Sequence, residues 1–99
     1  MIEKNKILLA LKNEEESKVF TAYLFSMGYE TMTAKDGARA LESAIQSGPA
    51  IIIVDTDLPV IAGEKLFQIL RNNPHTSKIP FLFISDSIVD VKGFRSGAD

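Results

Sequence analysis

The sequence has no cysteine, which excludes a disulfide framework and any thiolate-held metal. It has no apolar run long enough to span a bilayer. No secretory pattern opens the chain, because Met1 to Lys6 leads straight into a short strand-like run. Charge of one sign is also lacking: a formal net charge of −2 provides no electrostatic footprint for nucleic acid. There is a single histidine, His75, and it lies in a polar stretch around Pro74, where a surface role is expected. Internal repeats and low-complexity segments are absent. With 99 residues and ordinary apolar content, one domain over residues 1–99 is the expectation, cytoplasmic and without membrane contact.

The most informative stretch runs from Ala50 to Asp55. Ile51, Ile52, Ile53 and Val54 form an unbroken, β-branched run that ends in one carboxylate. A short run of this kind after Gly48-Pro49 reads as a strand buried on both faces, hence a central strand of a parallel sheet. Asp55 then stands at its carboxyl end, where open α/β sheets place their sites. Pro59 and Gly63 follow at short offsets and mark a shaped loop.

Around this strand the chain alternates. Lys6 to Leu11 reads as the first strand. Asn13 with Glu16 has capping-box spacing, and Glu14, Glu15 and Glu16 suit a positive helix start. Val19, Phe20, Tyr23, Leu24 and Met27 give that helix an apolar face, and Gly28 ends it. Tyr29 to Thr33 is a second strand. A second helix is capped near Asp36-Gly37, carries Ala38, Leu41, Ala44 and Ile45 as its stripe, and stops at Gly48-Pro49. A third helix from Gly63 to about Asn73 buries Leu66, Phe67 and Leu70. Ile79 to Ser85 is a fourth strand with Pro80 at its start, and Ile88 to about Arg95 reads as a fourth helix. Right-handed crossovers turn β-α-β-α-β-α-β-α into an open parallel sheet with helices on both faces. Its mouth gathers the loops after the first, third and fourth strands: Leu11-Lys12-Asn13, Asp55-Thr56-Asp57 and Ser85-Asp86.

At these residues the chain resembles a response-regulator receiver domain, the flavodoxin-like module of two-component signalling and phosphorelay, with strand order 2-1-3-4. The resemblance rests on Gly28-Tyr29-Glu30, on Ala34, Gly37, Ala40 and Leu41, and on Asp55, Leu58, Pro59 and Gly63. Ile79-Pro80, Ser85 and Gly97-Ala98-Asp99 complete it. It implies that Asp55 accepts a phosphoryl group from a histidine kinase and that Ser85 hydrogen-bonds the phosphoryl oxygen. It also implies that Asp55 and the backbone carbonyl of Asp57 help to hold magnesium. Phosphoryl transfer depends on positioning and charge neutralisation, hence the metal.

The chain departs from that family in places that matter. Two adjacent acidic residues are expected at the end of the first strand, and counting back from Gly28-Tyr29 puts Leu11 and Lys12 there. Magnesium wants oxygen ligands, and Lys12 brings a like charge. At an effective dielectric near 20, unit charges about 4 Å apart interact by ~4 kcal/mol, so the exchange weighs against the metal. Asp86 adds bulk and negative charge beside Asp55, and the Ser85-to-Gly97 spacing is about one helical turn short. The family's fifth strand, lysine-proline turn and fifth helix are expected beyond Asp99, so the domain reads as C-terminally incomplete.

The reading is a degenerate receiver, a signalling module rather than an enzyme. It would act through a histidine kinase or another signalling protein, with Lys12 paired to Asp55 in the metal's stead. The alternative is a working phospho-acceptor that uses Asp55 with magnesium held by Glu14 or Glu15. An unrelated nucleotide or flavin binder is disfavoured, because the loop after the first strand has no glycine and is acidic. Without a fifth strand and helix, the edge at Phe81 to Ile84 and the first-helix face of Phe20, Tyr23, Leu24 and Met27 are expected to be open. That predicts a homodimer or higher oligomer.

Overall fold

The computed structural model describes residues 3–85 and 88–90. Four strands and three helices alternate: β1 (Glu3–Ala10), α1 (Glu14–Ser26), β2 (Glu30–Ala34), α2 (Gly37–Ser47), β3 (Pro49–Asp55), α3 (Gly63–Arg71) and β4 (Phe81–Ser85). The sheet runs β2-β1-β3-β4 with every one of these pairings parallel, as expected.

A fifth strand, β5 (Ile88–Asp90), then pairs antiparallel to β4. This replaces the start of the helix expected from Ile88. Only two residues separate β4 from β5, too few for the crossover a parallel strand or packed helix needs. The β-branched Ile88 and Val89 also suit a strand. The β4 edge is therefore covered at Phe83, Ile84 and Ser85, and the open edge expected there is shortened. The remainder of the expected fourth helix, Asp86 and Gly97-Ala98-Asp99 lie outside the described residues.

Side chains alternate across the sheet with the period of two that a strand imposes. One face carries Leu8, Ala10, Ala34, Ile52, Val54, Phe81 and Phe83, packed under α2 and α3. The other carries Ile7, Leu9, Leu11, Ile53 and Ile84, packed against Phe20 and Leu24 of α1. On α3, Leu66 and Leu70 are buried and Phe67 stands edge-on to Phe81 at 5.0 Å. On α2 the buried stripe is Gly37, Ala40 and Ala44, while Ile45 is exposed. Of the expected stripe Ala44 is buried and Leu41 packs against the core, while Ala38 and Ile45 are exposed; Gly37 and Ala40 take their places where the helix lies closest to its neighbours.

Helix ends follow the capping expectations. The Asn13 side chain accepts from the Glu16 N–H at 2.9 Å, and the Asp36 side chain from the Arg39 N–H at 2.9 Å. Gly48 closes α2 in the left-handed conformation at φ 58°. α1 has no buried residue: Phe20 and Leu24 reach the sheet, while Val19, Tyr23, Phe25 and Met27 stand exposed.

Candidate functional site

The carboxyl ends of β1, β3 and β4 lie side by side. Ala10 pairs in register with Val54, and Asp55 with Ile84. Asp55 is thus level with the end of β1 and one residue short of Ser85, the last residue of β4. It is 5% exposed, a buried carboxylate. Its Oδ2 accepts the backbone N–H of Lys12 at 2.7 Å, which supplies the hydrogen bond that a buried carboxylate requires. Ser85 is half-buried.

The loop after β3 is pinned at several points. The Thr56 N–H donates to the Ile84 carbonyl, and the Gly63 N–H donates to the Thr56 carbonyl, both at 3.0 Å. Leu58 is buried beneath the loop. The Gly37 N–H at the start of α2 donates to the Pro59 carbonyl at 2.8 Å. A Cβ at position 37 would fall 2.2 Å from the Ile61 carbonyl oxygen, so glycine is what lets α2 approach this loop. The contact was missed in the sequence, where Asp36-Gly37 read as a turn and cap. The small residues Gly37, Ala40 and Ala44 were the available signal. Val60, at the loop's tip, has φ 73° and is 77% exposed.

Leu11 and Lys12 sit where the sequence placed them, but their side chains part. Leu11 is 2% exposed and continues the α1-side face of β1 after Ile7 and Leu9. The Lys12 ammonium forms an ion pair with the Asp57 carboxylate, and that contact holds the Asp57 carboxyl below its ordinary value of 3.8. The expectation was an ion pair between Lys12 and Asp55. Instead the Lys12 backbone reaches Asp55 and its ammonium binds Asp57. One residue bridges both aspartates because its N–H points into the sheet end while the long side chain follows the surface to the exposed loop.

An open α/β sheet with a buried carboxylate at the end of its central strand, framed by the β1 and β4 ends, defines a class of switch and binding modules. Residues 7–99 match the family model described as response regulator receiver domain, and the chain belongs to that family. It is a receiver domain of two-component phosphorelay signalling, with the flavodoxin-like fold. Over 98% of its length it is 32% identical to histidine kinase P4 of Formosa agariphila, of which it covers 7%. Over 95% of its length it is 33% identical to the DNA-binding dual master transcriptional regulator RpaA of Synechocystis, of which it covers 40%. The chain thus spans less than half the length of these and several other curated relatives, and 64% of the polar-differentiation response regulator DivK of Brucella anthropi.

Among solved structures, it is similar to the receiver domain of a sensor histidine kinase from Pseudomonas aeruginosa. The TM-score is 0.77 at 28% identity, covering 83% of this chain and 67% of that one. That structure has a magnesium ion coordinated in the active site cleft. Receiver domains are signalling modules that interact with histidine kinases and other signalling proteins. No helix among the described residues is long and apolar enough to cross a membrane.

The described residues do not fit such a metal. The Leu11 side chain offers no oxygen and is committed to the core. The Asp57 carboxylate is engaged by an ammonium. Glu14 and Glu15 lie in the first turn of α1, where Glu14 borders a groove between α1 and β2. Among the described residues no group of three His, Cys, Asp or Glu could hold a metal ion. A cation is nonetheless present, carried covalently by Lys12.

Proposed function

We propose that this domain is a degenerate receiver, which signals by protein–protein interaction and does not depend on phosphorylation of Asp55. The observation that carries the reading is the Lys12 ammonium on the Asp57 carboxylate, beside a buried Leu11. A fixed positive charge takes over the neutralising work of the metal, and it does so without coordinating a phosphoryl oxygen. Phosphoryl transfer needs the transferred group bridged and its charge spread, and a lone ammonium tied to a carboxylate does neither. The mouth is then held in one arrangement, with Asp55 capped by the Lys12 N–H and the β3–α3 loop pinned against α2.

The partner surface under this reading includes the outer side of α1, where Val19, Tyr23 and Met27 are exposed. The partner is a histidine kinase or another signalling protein, or a second copy. Sedimentation at high concentration tests the last: a strict monomer removes self-association.

The test of the reading itself is a magnesium titration of the folded chain, followed by the amide shifts of Leu11, Lys12, Asp55 and Asp57. No saturable shift is expected up to millimolar metal. A saturable shift centred on Asp55 overturns the reading. So does phosphate incorporation from a small acyl phosphate that is abolished by Asp55→Asn.

A further inference from the structure

We propose that a groove between α1 and β2 receives an extended acidic peptide segment, which adds to the sheet as a further strand beside β2. The inference does not use Asp55 or the Lys12–Asp57 pair, and it stands apart from the reading above. The groove has a volume of about 930 Å³, at the upper end of what ligand clefts offer.

Its two walls differ in kind. From α1 come Ser17, Lys18, Thr21, Ala22 and Phe25, at the three- and four-residue spacings of one helix stripe. From the sheet comes every residue from 29 to 35 without a break. Strand side chains alternate between faces. An unbroken run of lining residues therefore means that the strand's backbone borders the space along with alternate side chains, and the strand has an outer edge beside it. β2 is the terminal strand of the sheet among the described residues, so that edge has no strand partner there. Thr31 Oγ1 donates to Thr21 Oγ1 at 3.5 Å across the groove, while Ser17 and Ala22 are too small to close the rest of it. An edge strand facing a helix across an open groove is the arrangement in which peptides bind by strand addition. β2 has five residues, a span of roughly 16 Å, which suits a peptide of about that length.

Charge selects the occupant. Lys6, Lys12, Lys18 and Lys35 border the groove against Glu14 and Glu30, an excess of positive charge on a chain whose net charge is −2. Lys6 is within 3.9 Å of Glu30, and Lys12 is paired with Asp57. Lys18 on the helix wall and Lys35 just past the strand end form no ion pair among the described residues. They are the two points at which ligand carboxylates would be met. A second copy offering the same edge would bring lysines against lysines, which argues for a different, acidic chain.

The experiment uses the isotope-labelled full chain and a blocked hexapeptide alternating glutamate and valine. The controls are the lysine–valine counterpart and the glutamate–valine peptide N-methylated at every residue. The acidic peptide is expected to give saturable amide shifts at Thr31, Met32 and Thr33, with slowed amide exchange along β2. The N-methylated peptide, which cannot donate to a strand, is expected to give none. Lys18→Glu with Lys35→Glu should weaken binding at least tenfold, and Ala22→Phe should block the groove while the shifts of α2 and α3 stay unchanged. Absence of β2 shifts with the acidic peptide overturns the proposal, as does equal binding of the lysine or N-methylated peptide. Shifts of β2 that depend on protein concentration alone overturn it in favour of a second copy.

Discussion

Gly63 lies against the backbone of Asp55. A Cβ at position 63 would fall 2.5 Å from the Asp55 carbonyl oxygen and 3.1 Å from the Thr56 Cα. Both are backbone atoms, so relief requires the end of β3 or the start of α3 to move. Gly63→Ala is therefore expected to destabilise the fold by about 1–3 kcal/mol, the usual cost of overpacking. It should also shift the amides of Asp55 and Asp57. Urea unfolding with an NMR spectrum checks both, and an unchanged midpoint would mean that the helix start yields freely.

Asp55 and Lys12 give a second, separable expectation, because the donor to the carboxylate is backbone. Asp55→Ala leaves that N–H without its acceptor in a part-buried place, at a cost toward the low end of about 1–3 kcal/mol. Asp55→Asn keeps an oxygen able to accept it and should cost clearly less. Lys12→Met should leave the bond intact, since it changes only the side chain. Equal losses for alanine and asparagine in chemical denaturation would show that the carboxylate's charge matters and the bond does not.

What the sequence revealed follows physical lines. β3 was legible because Ile51 to Val54 is apolar without alternation, and such a run suits only a strand covered on both sides. The caps at Asn13 and Asp36 were legible because capping is local chemistry at a set spacing. β5 was not, since three residues are too few to show a period. The α2 stripe was misread because Ile45 looks more apolar than Ala40, whereas closeness of approach decided which was buried. The positions of Asp55, Leu11, Lys12 and Ser85 at the mouth were legible from topology. Which aspartate the Lys12 ammonium chooses was not, because one lysine offers a backbone donor and a side-chain donor with different reach.

Val60 carries strain that substitution can release. A β-branched residue at φ 73° is a true outlier, held there by the loop bonds at Pro59 and Gly63. The side chain is 77% exposed and contributes little packing. Val60→Gly should stabilise by about 0.5–1 kcal/mol, because the 2.8 Å bond from the Ile61 N–H to the Pro59 carbonyl closes a γ-turn on residue 60 that glycine enters without strain. Thermal unfolding against Val60→Ala reads this directly, and destabilisation by glycine would refute the strain.

The Lys12–Asp57 pair can be read by pH. The Lys12 hydrogen bond, aided by its charge, holds the Asp57 carboxyl below 3.8 in the folded chain. A depressed folded value stabilises the fold where the group is ionised in both states, above about 4. As pH falls below that, the unfolded chain takes up the proton first, and the contribution disappears as pH passes through the depressed folded value. Both side chains are exposed by about half or more, so the contribution is small and salt weakens it. The titration midpoint of the Asp57 carboxyl carbon should therefore lie below 3.8 at low salt and rise toward it as salt is added. In Lys12→Met it should rise toward the ordinary value and lose the salt dependence from this pair, while the Lys12-to-Asp55 backbone bond persists. A midpoint unchanged by Lys12→Met would mean that the ammonium does not govern Asp57, and the neutralising role assigned to Lys12 would fall with it.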